Sequence, residues 1–198
     1  MSYQRPAGPH RVELEIKNSS FLALAMPVDS VDDAQQQLEQ IRQQHPKANH
    51  HCWARICGRP DDGQLWSCSD DGEPRGTAGQ PMLQVLQHSG LGQIQVVVVR
   101  YFGGIKLGTG GLVRAYSQSV QAVLETLPLE AVVARQPVTL AVPHSLTGEL
   151  EQLIRQLQLP VDERRWLAAF EVDCRLTEAQ LDAVRAELNR FSGQLELR

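Results

Sequence analysis

Two glycine-threonine segments contain the residues of this chain best suited to bind a ligand. They are GTAG at Gly76–Gly79 and GTGG at Gly108–Gly111, and each lies just before or at the start of a predicted helix. The first turn of a helix leaves amide hydrogens unpaired and carries about half a positive charge, and glycines there let a ligand approach the backbone closely. Two such helix ends on one side of a domain predict a site for a phosphate group.

Basic side chains lie within or beside these segments and would complete the charge balance of a phosphate site. The predicted phosphate- or nucleic-acid-binding residues are Arg75, Gly76, Thr77, Gly79, Arg100, Gly103, Gly104, Lys106, Gly108, Thr109, Gly110, Gly111 and Arg114. Two common phosphate motifs do not match. Thr109 stands where a P-loop has its lysine, and a dinucleotide-binding fingerprint requires glycine at Val113. The alternative is that the glycines form tight turns and Thr109 caps a helix, without any bound anion.

A second group of candidates lies on one face of a predicted strand. His51, Trp53 and Arg55 alternate with apolar residues, so their side chains point to the same side. An aromatic and cationic sheet face can stack bases while arginine contacts phosphate, as in proteins that bind single-stranded RNA. We therefore add these three residues to the predicted nucleic-acid-binding set. The alternative is that this face is a second packed layer of the domain.

Three carboxylates precede the first glycine-threonine segment. Asp70, Asp71 and Glu73 are candidates for a magnesium site beside a bound phosphate. Asp-Asp-Gly is also typical of a turn, and no second carboxylate cluster completes a cage, so turn and capping roles are preferred. The histidines and cysteines that follow His50 lack the CxxC or HxxxH spacing of zinc sites. We predict no metal and no cofactor.

The composition excludes several classes of protein. With 19 Lys and Arg against 23 Asp and Glu, the 198-residue chain has a net charge of −4. No global positive field attracts nucleic acid, so RNA or phosphate binding must depend on a local patch. Four cysteines are too few to indicate a disulfide scaffold. No apolar run approaches the length of a membrane helix, and the first residues do not resemble a signal peptide, so we expect a cytoplasmic protein without a membrane partner.

Hydrophobic periodicity predicts the elements that position these candidates. The N-terminal elements are strands at Val12–Lys17 and Phe21–Pro27, a helix after Ser30 that ends at His45, a strand at His50–Cys57, a strand at Leu65–Ser69, a helix at Thr77–Leu86, a strand at Ile94–Phe102 and a long helix from Leu112 to Leu127. The strand at Ile94–Phe102 is β-branched almost throughout, which is typical of the centre of a sheet.

A compact series with a different pattern begins after Pro137. The C-terminal elements are a strand at Val138–Val142, a helix at Leu146–Leu157, strands at Val161–Arg165 and Leu167–Cys174, a helix at Glu178–Phe191 and a strand at Gln194–Leu197. This β-α-β-β-α-β series is the ferredoxin-like order. We therefore predict an α+β protein of two domains, residues 1–130 and 136–198, with a linker at about 129–137.

A family resemblance extends over essentially the whole chain. The stretch Gly79–Gly108 is similar to the signature of the IMPACT family, in particular its bacterial YigZ-like members, and reads GQPMLQVLQHSGLGQIQVVVVRYFGGIKLG. Earlier blocks of that family resemble the HHCWA and SDDGEPRGTAGQPML of this chain. The resemblance implies an N-terminal domain of the ribosomal-protein type, like elongation factor G domain IV and the GHMP kinases. It also implies a C-terminal domain like the last domain of elongation factor G.

The resemblance further implies a role in translation. Eukaryotic IMPACT regulates translation initiation, but it uses an additional N-terminal domain, so its partner is not transferred to this chain. Our first hypothesis is a non-enzymatic RNA- or ribosome-associated protein that regulates translation and contacts backbone phosphate through its glycine-rich helix starts. One alternative is an enzyme that binds a phosphorylated small molecule or nucleotide with Mg²⁺, although no paired general acid and base can be identified. Another alternative is a protein-interaction adaptor.

Overall fold

The computed structural model of the protein describes residues 2–198 and forms two compact units. One unit is Tyr3–Val132, and the other is Val133–Arg198 together with Ser2. Within the described residues, every helix is too short or too polar to cross a membrane. Each unit has its own sheet and its own hydrophobic core, which identifies the protein as a mixed helix-and-sheet fold.

The N-terminal unit contains seven strands and three helices. In chain order they are β1 (Tyr3–Pro6), β2 (His10–Ile16), β3 (Ser19–Pro27), α1 (Val31–Gln44), β4 (His50–Ile56), β5 (Trp66–Ser69), α2 (Gly79–Ser89), β6 (Ile94–Tyr101), α3 (Thr109–Glu125) and β7 (Leu129–Val132). Five of the strands form an antiparallel sheet in the order β2-β3-β6-β4-β5. The predicted central position of β6 is therefore confirmed.

Helices cover both faces of this sheet. Alternate residues of β6, such as Val96 and Val98, pack into the core that contains α2 and α3. Val97 and Val99 point the other way and pack against Leu38 of α1. This double cover explains why β6 is apolar at nearly every position, because both of its faces are removed from water.

Local signals determine the bounds of α1. The Ser30 hydroxyl accepts a hydrogen bond from the amide of Asp33 at 3.0 Å, which caps the first turn. The helix ends at Gln44, and its cap residue His45 directly precedes Pro46, whose ring is incompatible with a continuing helix. The predicted helix is thus confirmed at both ends.

The segment predicted as a linker is partly a strand. Residues 129–132 form β7, which pairs antiparallel with β1 near the start of the chain. Both strands have only four residues. Such short segments contain too few side chains to establish an alternating pattern, and their partners lie far apart in sequence, so sequence periodicity did not reveal them.

The C-terminal unit consists of β8 (Gln136–Val142), α4 (Thr147–Gln156), β9 (Val161–Trp166), β10 (Phe170–Leu176), α5 (Glu178–Ala186) and β11 (Glu196–Leu197). Its sheet has the order β11-β8-β10-β9. The core lies between one face of this sheet and the two helices, with Leu140 and Val172 packed near Leu150, Leu153 and Val184. The predicted succession of elements is observed, but α5 ends at Ala186 and a single 3₁₀ turn follows at Leu188–Phe191.

Candidate functional site

The backbone amides of the first glycine-threonine segment donate hydrogen bonds to a carboxylate of the protein itself. Asp70, directly after β5, accepts hydrogen bonds from the amides of Gly76 at 2.8 Å, Ala78 at 3.0 Å and Gly79 at 2.8 Å. Partial burial opposes ionisation of Asp70, but the three backbone donors outweigh it and hold the pKa of this carboxyl below its ordinary value. The amides expected to bind phosphate are therefore already paired with an internal anion.

The remaining residues of this segment have structural contacts. The Thr77 hydroxyl donates to the carbonyl oxygen of Pro74 at 2.7 Å, and the residue before α2 that acts as its cap is Ala78. Gly79 lies against the backbone of Ser69, where an added Cβ would come within 2.8 Å of the Ser69 amide nitrogen. Arg75 is exposed beside the segment. Close packing with β5 thus explains Gly79 without any ligand.

The three candidate magnesium ligands are used separately. Asp70 caps the start of α2, as described above, whereas Asp71 accepts from the Arg42 guanidinium at 2.8 Å and from the amide of His51 at 2.7 Å. Glu73 pairs with Arg100. Among residues 2–198, no group of three or more His, Cys, Asp or Glu side chains is arranged to hold a metal ion. Asp70 therefore has the capping role that the sequence analysis preferred.

The strand face that carries His51, Trp53 and Arg55 is covered by α1. His51 and Arg55 are 8% and 7% exposed, and Trp53 packs against the cluster that contains Leu38 and Ile41. The Arg55 guanidinium lies 4.3 Å from the centre of the Trp53 ring and donates through Nε to the hydroxyl of Ser67. Burial lowers the pKa of His51. The face expected to stack bases is therefore a packed layer inside the unit, which corrects the prediction.

The second glycine-threonine segment opens into a cavity. Gly108 precedes α3 with a φ of 71°, a conformation that favours glycine, and no side chain of residues 2–198 caps the helix. A cavity of about 490 Å³ adjoins this helix start. Its lining residues come from four segments of the unit and are Asn49, His50, Glu73, Pro74, Arg100, Phe102, Lys106, Leu107, Gly108, Thr109 and Leu112. The two glycine-rich helix starts therefore face different surroundings.

A buried chain of polar groups lies behind this cavity. The Glu73 Oε1 atom accepts from Arg100 Nη1 at 2.5 Å and from the Tyr116 hydroxyl at 2.7 Å. The Cys52 thiol donates to the Tyr116 oxygen at 3.2 Å. Burial raises the pKa of Tyr116 and of Cys52, so both groups stay protonated at neutral pH. A protonated and fully buried thiol is a poor nucleophile, which disfavours Cys52 as a catalytic residue.

Several atoms in or beside the cavity lack a hydrogen-bond partner within residues 2–198. Arg100 Nε is buried and unpaired. Glu73 Oε2 lies 3.9 Å from His50 Nε2, which is too long for a hydrogen bond. His50 is held in place through Nδ1, which lies 2.9 Å from the Asp71 carbonyl oxygen. The cavity wall thus presents polar atoms whose hydrogen-bonding capacity the protein does not use.

The remaining predicted residues divide into cavity residues and residues with other roles. Lys106 is exposed and lines the cavity. Arg114 lies on the exposed side of α3 and lines a separate hollow of about 130 Å³. Gly103 is a packing glycine, because an added Cβ would come within 1.8 Å of the Asn18 carbonyl oxygen, and Gly104 forms a turn with φ 86°. The loop glycines therefore shape the path of the chain from β6 to Lys106.

Sequence reasoning missed Phe102. This ring is 45% exposed, lines the cavity and lies 5.6 Å from the Arg100 guanidinium. Its backbone amide donates to Asn49 Oδ1 at 2.8 Å, which holds the residue at the end of β6. The available signal was an aromatic residue directly before two glycines. The periodicity of β6 had assigned Phe102 to the strand instead.

Comparison with known proteins gives consistent results. A model of the Impact N-terminal domain matches residues 17–124. The Escherichia coli protein "IMPACT family member YigZ" is 42% identical over 198 residues, which cover 99% of this chain and 97% of that protein. An "IMPACT family member" of Haemophilus influenzae is 41% identical over 92% of this chain and 89% of its own length. A crystal structure described as that of a hypothetical protein superposes with a TM-score of 0.75 at 41% identity, covering 99% of this chain and 96% of that one.

Proposed function

The chain belongs to the IMPACT family, and from this premise we propose that it is a non-enzymatic RNA- or ribosome-associated protein that regulates translation. It holds a backbone phosphate of RNA in the cavity beside the start of α3. Of the residues predicted to bind phosphate, the second glycine-threonine segment and Lys106 keep this role. The first segment, which donates to Asp70, and the strand face beneath α1 have no part in RNA binding.

The uncapped first turn of α3 is the observation that carries the proposal. A helix of 17 residues concentrates the partial positive charge of its first turn at Thr109–Gly111, and no acidic side chain lies there to neutralise it. Lys106 adds a full positive charge at the same cavity. Arg100 contributes little net charge, because Glu73 pairs with it. The cavity therefore has the charge and the donor groups that one phosphate requires.

Phe102 supplies the second contact that RNA needs. Single-stranded nucleic acids bind through phosphate contacts combined with bases stacked on aromatic rings. The exposed face of Phe102 lies at the same cavity as Lys106, so one nucleotide can place its phosphate on α3 and its base on the ring. This arrangement depends little on base identity, because every base has a face that can stack.

The proposed relationship to translation factors extends to both units. The β-α-β-β-α-β series with sheet order β11-β8-β10-β9 supports a ferredoxin-like assignment for the C-terminal unit, like the last domain of elongation factor G. For the N-terminal unit we assign the fold of elongation factor G domain IV and the GHMP kinases. The proposed function depends on the cavity and not on the fold, because one fold can support many activities.

A binding titration with fluorescent single-stranded RNA tests the proposal. We expect the affinity to fall steeply with salt, because phosphate contacts release counterions. Lys106→Glu should weaken binding by about tenfold or more and reduce the salt slope by about one. Lys47→Glu makes the same charge change at an exposed site outside the cavity lining and serves as the control. Equal binding by both variants would contradict the proposal.

Calorimetry separates this function from the two alternatives. An enzyme of phosphorylated metabolites should bind a nucleotide with Mg²⁺ and turn it over, whereas the proposed function predicts no turnover and no requirement for Mg²⁺ with the same nucleotide panel. An adaptor should co-purify with protein after nuclease treatment, whereas an RNA-associated protein should lose its co-purifying material. Either positive result for an alternative would replace the proposed function.

A further inference from the structure

The cavity beside α3 has two chemically different walls. The first turn of α3 and Lys106 provide donors and positive charge. Glu73 and His50 lie on the other wall. Within residues 2–198 no group donates a hydrogen bond to Glu73 Oε2 or to His50 Nε2. A phosphate satisfies the first wall and not the second, because its oxygens are acceptors at neutral pH. The second wall requires a ligand group that donates hydrogen bonds.

Glu73 has one oxygen that the protein leaves unused. Its side chain is 3% exposed, and both of its donors, Arg100 and Tyr116, bind Oε1. Within residues 2–198 no group donates to Oε2. Because Glu73 lines the cavity, a ligand that displaces water there must itself donate to Oε2 or leave a charged acceptor unpaired.

His50 contributes a second acceptor beside it. Because the Asp71 carbonyl oxygen can only accept, His50 Nδ1 must carry the hydrogen of the bond between them. In the neutral ring Nε2 is then the acceptor, and it lies 3.9 Å from Glu73 Oε2. The separation is too long for a direct bond but leaves room for a ligand hydroxyl that donates to Glu73 Oε2 and lies beside His50 Nε2.

From this arrangement we infer that Glu73 Oε2 and His50 Nε2 line a subsite for the 2′-hydroxyl of a ribonucleotide whose phosphate lies on α3, and that the single hydroxyl hydrogen is donated to Glu73 Oε2. The inference rests on the proposed function and makes it more specific. Ribose places a hydroxyl donor close to the phosphate, whereas deoxyribose at that position carries only hydrogen. The cavity therefore selects RNA over DNA through one hydroxyl. DNA would leave Glu73 Oε2 unpaired in the complex, which corresponds to about a tenfold or greater loss of affinity.

Three oligonucleotides of one sequence test the inference. The sequence contains only A, C and G, so that RNA and DNA differ at the 2′ position alone, and the third probe is 2′-fluoro RNA, which lacks the hydroxyl donor. We expect unmodified RNA to bind about tenfold more tightly than either of the other two. Equal binding of all three, still weakened by Lys106→Ala, would overturn the subsite and leave the proposed function intact. Binding of none of them would overturn both.

Two variants locate the discrimination in the subsite. Glu73→Gln keeps an acceptor for Arg100 and Tyr116 but turns a donor amide towards the cavity, so the preference for RNA should disappear. His50→Ala removes a half-buried ring and leaves the Glu73 pair in place, which keeps the test valid where Glu73→Gln fails to fold. His88→Ala, on the exposed side of α2, is the matched control. An RNA preference that persists in both cavity variants would overturn the inference.

Discussion

The starts of α2 and α3 have nearly the same sequence and opposite surroundings. GTAG donates three amides to Asp70, whereas GTGG has no side-chain cap among residues 2–198 and opens into a cavity beside Lys106. The difference comes from one carboxylate placed after the neighbouring strand β5, not from the glycines. A glycine-rich helix start is therefore an available anion site only where the fold brings no internal anion to it.

Removing the internal anion should have the largest effect. Asp70→Ala leaves three amides at the start of α2 without their acceptor, and we expect the free energy of unfolding to fall by about 3 kcal/mol. Urea denaturation measures this change. Asp61→Ala, which breaks an exposed ion pair with Arg59, should leave it almost unchanged, because water screens this pair. Added phosphate should stabilise Asp70→Ala more than the parent protein, because the variant exposes a second anion site. A similar cost for both alanine variants would contradict the capping role of Asp70.

The aromatic contact at the second helix start is expected to matter next. Phe102→Ala should weaken binding of single-stranded RNA by about tenfold, since one stacked base contributes about 1 to 3 kcal/mol. Phe102→Tyr keeps a ring that can stack and should retain most of the affinity. Anisotropy titrations compare the two variants. If the alanine variant binds as well as the tyrosine variant, bases do not stack on this ring.

Acid should weaken the stabilisation that ionised Asp70 provides at the start of α2. The pKa of Asp70 is lower in the folded protein than in the unfolded chain, so its contribution is complete above the ordinary pKa of aspartate and is lost as pH falls through the folded value. Asp70→Asn should be less stable than the parent by about 1 kcal/mol at neutral pH. The difference should shrink below about pH 4. Denaturation at several pH values measures it, and a difference that grows in acid would show that the charge of Asp70 is not responsible.

Closing the second helix start should have the smallest effect on stability and the clearest effect on binding. Thr109→Asp places a carboxylate in the first turn of α3, where it should raise the free energy of unfolding by about 0.5 kcal/mol. The same substitution should weaken RNA binding several-fold, because the new carboxylate competes with phosphate for the amides. Thr109→Asn changes the shape in the same way without adding charge and is the control. Loss of both stability and binding would indicate that Thr109 is needed for folding instead.

The sequence predicted the elements of both units better than it predicted the surroundings of the candidate site. Ser30 and Pro46 set the bounds of α1, and the β-branched run of β6 indicated a strand with both faces buried, because these signals act between neighbouring residues. The shared face of His51, Trp53 and Arg55 was also correctly grouped. Alternation along a strand reveals which residues share a face, but it does not reveal whether a helix covers that face.

The candidate site shows the same division. The glycine-threonine segments, Lys106 and the family resemblance were all evident in the sequence. A turn or capping role for Asp70 was also favoured, whereas the roles of Glu73 and Phe102 were not evident, because each depends on a partner from another segment of the chain.

The amino-acid sequence by itself determined the family, the order of the elements and the two helix starts able to attract an anion. These properties depend on local propensity, hydrophobic periodicity and glycine placement. Only the tertiary structure decided which helix start is open, because Asp70 and Glu73 lie three residues apart in the chain but serve different partners. Asp70 reaches the start of α2, and Glu73 meets Arg100 and Tyr116 beside the cavity of α3. The path of the backbone between Asp70 and Glu73 directs the two carboxylates to these different partners.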